Sequence, residues 1–205
     1  MKTFRLIFAI FSLAFCNVAY SQQLLQLKSA KISNFESINP PNRDITYESD
    51  GIIVTYNINE ALLSETSEQE RTYLWKIPGF GTTDIPGNYA MPFRNDAFAI
   101  PKGHVATVEI TDSAFVDYKS KLAFARRPQK GKNTGSDKTT LHNIPNESIN
   151  SIPPIVSVSK KINRYRGTDI INVQVCPIQY EQATQTIRAY TLIKYKHYCP
   201  VKVDK

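Results

Sequence analysis

The sequence predicts an all-β fold, an antiparallel β-sandwich of jelly-roll-like form with long loops, and three observations carry that prediction. Short runs rich in β-branched and aromatic residues alternate with period two. Turn-forming residues punctuate them at close spacing. A helix has room only at residues 59–71, where Ala61, Leu62 and Leu63 precede a glutamate-rich tail. Glu60, Glu65, Glu68 and Glu70 leave that stretch little apolar surface to bury, so a long hairpin loop suits it equally well. Short strands separated by turns imply a two-layer sandwich.

The chain opens with Lys2 and Arg5, an apolar core from Leu6 to Phe15, and Ala19, Tyr20 and Ser21 in a small-x-small pattern. Residues 1–21 therefore read as a secretory signal, too short in its apolar core to span a bilayer. The mature chain is expected to begin near Gln22 as a single domain, residues 22–205, exported to the periplasm or the extracellular space. Lipid attachment at Cys16 would require a small residue at position 15, which is Phe15.

Strands are expected at residues 51–58, 72–77, 97–100, 104–111, 114–118, 155–159, 169–176 and 186–198. Within the second, Tyr73 and Trp75 share one face, and core packing is the ordinary role for them. From the end of the second to just past the third runs a stretch dense in turn residues: Pro78, Gly79, Gly81, Pro86, Gly87, Pro92, Pro101 and Gly103. Proline fixes φ and glycine takes positive φ at low cost, so these positions shape the backbone. Residues 127–150 are polar, without apolar periodicity, and read as a long mobile loop.

Charge is unevenly placed. The chain carries 25 basic and 18 acidic residues, a formal charge of +7, and loss of Lys2 and Arg5 with the signal leaves +5. Arg126, Arg127, Lys130, Lys132 and Lys138, against Asp137 alone, supply +4 of that excess within one loop. A nucleic-acid binder spreads its cations over a folded face with aromatics placed to stack bases, so one basic loop is a poor match.

Export makes disulfides possible, and the mature chain keeps Cys176 and Cys199. If Tyr180 faces Ile187 in a hairpin, Cys176 faces Thr191, and Cys199 lies roughly 26 Å further along at about 3.3 Å per residue. Two free thiols, or a bridge across another pairing, are the readings left. His142 and Cys176 are the one pair spaced for a nucleophilic dyad, yet His142 lies in a polar loop and Cys176 in a strand pattern before Pro177. His104, His142 and His197 are far apart, and no paired Cys or His spacing forms a metal motif. The run from Gly79 to Thr83 lacks the lysine and the strand-to-helix context of a phosphate loop. Asp44, Asp50, Asp84, Asp96, Asp112 and Asp117 read as turn and edge residues. No cofactor is expected.

The ordered turn run from Pro78 to Gly103 resembles the propeptide of gingipain-type cysteine peptidases. Three later stretches extend the resemblance: Val108 to Tyr118 followed by residues 122–125, Tyr165 to Val175, and Pro177 to Tyr180 followed by Ile187 to Tyr195. Together they cover residues 72–198 in order. The resemblance implies an all-β domain that helps a cognate cysteine endopeptidase fold and holds it latent by covering its active-site cleft. It also implies a partner that prefers a basic P1 residue, with Arg126, Arg127 or Lys130 as the group offered to an acidic pocket. The sequence stops at Lys205, where the family's catalytic domain would begin, so a stand-alone inhibitor or chaperone, or else a remnant or separately encoded prosegment, is expected rather than an enzyme. Neither nucleic acid nor, once the signal is removed, membrane is an expected partner. A carbohydrate- or surface-binding sandwich without a peptidase partner is the alternative, and a planar exposed strip of Tyr and Trp would favour it.

Overall fold

Along Thr186–Tyr198, every odd position from Ile187 to His197 is buried, so one face of this strand is committed to the core. The computed structural model, which describes residues 22–29, 31–34, 37–67, 71–83, 88–123, 125 and 153–200, builds three sheets around that face. Residues 1–21 and the basic loop from Arg126 lie outside the described residues, as do Pro86 and Gly87. No helix is present among those described.

The first sheet runs in the order β10 (Lys121–Leu122), β6 (Thr72–Lys76), β5 (Glu60–Ser67), β1 (Gln22–Gln26), β2 (Lys31–Asn34). The second is β11 (Val156–Val158), β13 (Thr168–Val175), β8 (Pro92–Ile100), β7 (Gly81–Thr82), with β12 (Asn163–Tyr165) also on β13. The third is β14 (Ile178–Glu181), β15 (Thr186–Tyr198), β4 (Gly51–Asn57), β3 (Asn42–Glu48), with β9 (Thr107–Lys119) along the other edge of β15. All the pairings are antiparallel except the two-residue contact of β10 with β6.

Interlocking side chains hold the layers together. Tyr118 of β9 packs on Trp75 of β6 at 5.5 Å between ring centroids, and its hydroxyl donates to the Leu27 carbonyl at 2.6 Å. That contact joins the third sheet to the first. His197 stacks on Phe98 of β8 at 4.7 Å, joining the third sheet to the second. The buried cluster draws on all three sheets, with Leu25, Leu63 and Trp75 from the first, Phe98, Ile171 and Val173 from the second, and Val54, Ile187 and Ile193 from the third. At roughly 1.5–3 kcal/mol for each large apolar side chain buried, this shared core is the main source of stability.

Three sequence expectations need correction. Residues 60–67 form strand β5, neither a helical turn nor a loop. Ala61 and Leu63 point inward at 0% and 6% exposure, and the Leu62–Leu63 doublet hides that period-two pattern from inspection. The ladder with β1, which sets Leu25 opposite Ala61, outweighs the local preference of the glutamates. The two strands expected at 104–111 and 114–118 are one continuous β9, whose pairing with β15 absorbs two register shifts. Asp96, read as a turn or edge acid, is buried in β8 at 3% exposure. By contrast, the expected register of Tyr180 against Ile187 is observed.

The turn run does what its residue types require. Pro78 and Gly79 occupy the middle of a turn closed by Phe80 N–H donating to the Ile77 carbonyl at 3.0 Å, with Gly79 at φ +75°. Lys102 and Gly103 occupy a second, closed by His104 N–H on the Pro101 carbonyl at 3.1 Å, with Gly103 at φ +79°. Pro–Gly at the centre of a turn with positive φ at its third position is the type II preference. Gly79→Ala is expected to cost about 1–2 kcal/mol, the penalty of the left-handed region for an L-residue, read as a lower urea midpoint.

Candidate functional site

The residues that the sequence nominates for partner binding, Arg126, Arg127 and Lys130, lie outside the described residues, as does His142. The structure does describe the ground on either side of them. Before the loop, Ala123 N–H donates to the Tyr73 carbonyl at 2.9 Å, Ala90 N–H to the Ala123 carbonyl at 2.8 Å, and Ala125 N–H to the Asn88 carbonyl at 2.8 Å. Leu122 and Ala123 are buried. After it, the Pro153 carbonyl accepts from Gln179 Nε2 at 2.9 Å and the Ile155 carbonyl from Cys176 N–H at 2.8 Å. Both stems are thus fastened to sheets. The middle of the turn run, Asn88 to Ala90, holds the first stem, and Tyr89 packs edge-on against Tyr180 at 4.6 Å between centroids.

A second constellation escaped sequence reasoning. Asp96 Oδ2 accepts from the hydroxyls of Tyr56 at 2.6 Å and Tyr195 at 2.8 Å, while Oδ1 meets Arg43 Nη2 at 3.0 Å and Arg94 Nε at 3.5 Å. Burial and the neighbouring carboxylate hold both tyrosine hydroxyls well above the ordinary phenol range. Both guanidinium groups also lie 5.8 Å from the Tyr56 ring centroid, and Phe80 of the turn run meets that ring edge-on at 5.7 Å. The carboxylate is satisfied from four directions, as a buried charge must be. Its chemistry is structural: it ties β3, β4, β8 and β15 together.

Cys176 and Cys199 are both free. Burial pushes the Cys176 thiol up to about 11, the reverse of what an activated nucleophile needs. His104 and His197, far apart in sequence, approach each other through Cys199: its carbonyl lies 2.6 Å from His104 Nδ1 and its sulfur 3.6 Å from His197 Nε2. Among the described residues no group of three metal-ligating side chains forms.

His197, 2% exposed, has its pKa lowered by burial, with a backbone hydrogen bond to Thr107 acting in the opposite direction. The unfolded chain therefore binds a proton at this site more readily than the folded one. Its contribution to stability is fully present above the unfolded value of about 6.5 and is lost as pH falls below it. Urea midpoints measured from pH 7.5 to 5 are expected to fall, and to fall less steeply in His197→Gln.

Trp75 is buried at 1% exposure. Among the described residues, the most exposed tyrosines, Tyr47 at 77% and Tyr165 at 61%, belong to β3 and β12 in different sheets. They therefore do not share one sheet face.

No family model matches this chain, and no curated protein matches it. Solved structures do. One, from work on the zymogenic latency of gingipain K from Porphyromonas gingivalis, superposes with a TM-score of 0.64 at 14% identity, covering 88% of this chain and 99% of its own. Another, from the complex of the pro- and mature domains of Porphyromonas gingivalis RgpB, gives a TM-score of 0.67 at 16% identity over 82% of this chain and 90% of its own. At such identities the likeness concerns the fold. No helix among the described residues is long and apolar enough to cross a membrane. The chain therefore has the propeptide-like, all-β sandwich fold of the gingipain prodomains.

Proposed function

We propose that this protein is an exported, non-catalytic prodomain-like binder of a gingipain-type cysteine endopeptidase, acting as latency inhibitor, folding chaperone or both. The observation that carries this reading is the extent of the fold match, 82–88% of the chain, to structures concerned with zymogen latency and with a pro- and mature-domain complex. The fastened stems add support, because a loop presented from two fixed points loses less entropy on binding than one hanging free.

In the mechanism, the loop from Arg126 lies across the peptidase cleft. Arg126 or Arg127 places a guanidinium in an acidic S1 pocket through a charge-assisted bidentate pair, with Lys130 as a further cation beside it. Pro128 stiffens the segment and, directly after Arg127, resists cleavage there. The test is to mix the protein with an arginine-specific gingipain-type endopeptidase and follow residual activity together with gel filtration. A one-to-one complex with suppressed activity is expected, and full activity with separate elution would reject the reading.

A further inference from the structure

An open depression of about 520 Å3 lies beside the first stem of the loop, lined by Arg71, Tyr73, Lys119, Ser120, Lys121, Thr184 and Gln185. Three of these seven residues are cations and none is an acid. Among the described residues, none of the three cations forms an ion pair within 4 Å. Lys119 Nζ is held in place by the Thr184 carbonyl at 3.3 Å and Thr186 Oγ1 at 2.7 Å. Among the described residues, Glu181 accepts from the Thr184 hydroxyl and Asp117 is engaged by Arg188, and neither lines the depression. Arg71 and Gln185 hold their places with φ of 49° and 50°, left-handed turn conformations that fix where their side chains leave the chain.

The depression adjoins the described residues that lead towards Arg126. Tyr73, one of its walls, gives its carbonyl to Ala123 of the stem, and Lys121 pairs with Thr72 in the β10–β6 contact. Five residues after Lys121 comes Arg126, where the basic segment starts. We infer that this depression is a docking site for an acidic peptide segment of a protein partner. Resting on the peptidase-binding function proposed for the chain, that segment belongs to the peptidase surface bordering the cleft.

Its width favours peptide carboxylates over a lone phosphate or sulfate. The cations line a space many times the size of one oxyanion, with Arg71 at the turn before β6, Lys119 at the end of β9 and Lys121 in β10. Tyr73, half-buried, supplies an apolar wall for the methylenes of aspartate or glutamate side chains. Charge complementarity at such a rim fixes register and speeds encounter more than it adds affinity.

The test uses the purified protein and an acetylated hexaglutamate peptide, with inorganic phosphate as a second arm, read by backbone amide NMR shifts. Hexaglutamate is expected to shift the amides of Lys119, Ser120, Lys121, Thr184 and Gln185 along one saturating curve. The double charge reversal Arg71→Glu with Lys121→Glu should weaken that binding about ten-fold or more while leaving amide dispersion intact. Three results would overturn the inference: no shift, equal shifts around Lys160 and Lys161, or shifts with phosphate but not with hexaglutamate. A peptidase arm separates the two proposals. The same variant should slow association with the endopeptidase and reduce its salt dependence. If the unaltered protein binds hexaglutamate here but no such peptidase, the docking site stands and the peptidase reading fails. Inhibition of the peptidase without any hexaglutamate shift leaves the peptidase reading standing and rejects the docking site.

Discussion

Asp96→Ala is expected to lower unfolding free energy by about 3 kcal/mol, the low end of the range for breaking a buried charged contact. The low end applies because Arg43 and Arg94 keep 26% and 36% of their side-chain surface exposed, so water screens part of the loss. What remains is two guanidinium groups without their carboxylate and two buried tyrosine hydroxyls without their acceptor. Tyr195→Phe removes one donor to that carboxylate and should cost about 2 kcal/mol. Because Tyr195 acts through Asp96, the double variant should fall short of the sum of the single losses. Urea unfolding of the four proteins measures all of this, and a loss below about 1 kcal/mol for Asp96→Ala would show that the cluster does not tie the sheets together.

Replacing Arg126 and Arg127 by Ala is expected to weaken inhibition of an arginine-specific gingipain-type endopeptidase by about 30-fold to several thousand-fold. That range corresponds to the roughly 2–5 kcal/mol typical of truncating one side of a buried, hydrogen-bonded charge pair at an interface. The urea midpoint should not change. Lys130→Ala should have a smaller effect, as expected for a cation near the rim. If the double variant inhibits as well as the unaltered protein, the basic loop is not the anchor, whatever else binds.

The strands visible in the sequence were those whose own residues alternate. Residues 72–76, 168–175 and 186–198 carry β-branched or aromatic residues at most alternate positions, and the hairpin that sets Tyr180 opposite Ile187, supposed from the sequence, is the one observed. Strands β1, β2 and β3 gave no comparable signal. Gln22–Gln26 is five residues of Gln and Leu that depend on β5, distant in sequence, whereas β3 is a largely exposed edge strand held by its hairpin with β4. Asp96 was illegible for a related reason. Its partners Arg43, Tyr56 and Tyr195 are up to 99 residues away, and a lone aspartate in a strand looks like an edge residue until those partners are placed. Lys119 and Lys121 are neighbours in the chain, but Arg71, in the turn before β6, joins them only when β10 pairs with β6. The basic segment from Arg126, by contrast, stood out in the sequence because its charge is local.

The most direct measurement is competition at the peptidase active site. An arginine-specific gingipain-type endopeptidase is titrated with this protein, once free and once with its catalytic cysteine alkylated by an arginyl chloromethylketone. If the loop from Arg126 covers the cleft, the free enzyme binds one equivalent and loses activity, and the alkylated enzyme binds at least ten-fold more weakly, about 1.4 kcal/mol or more. Equal binding to both forms, with activity retained in the complex, would contradict the account.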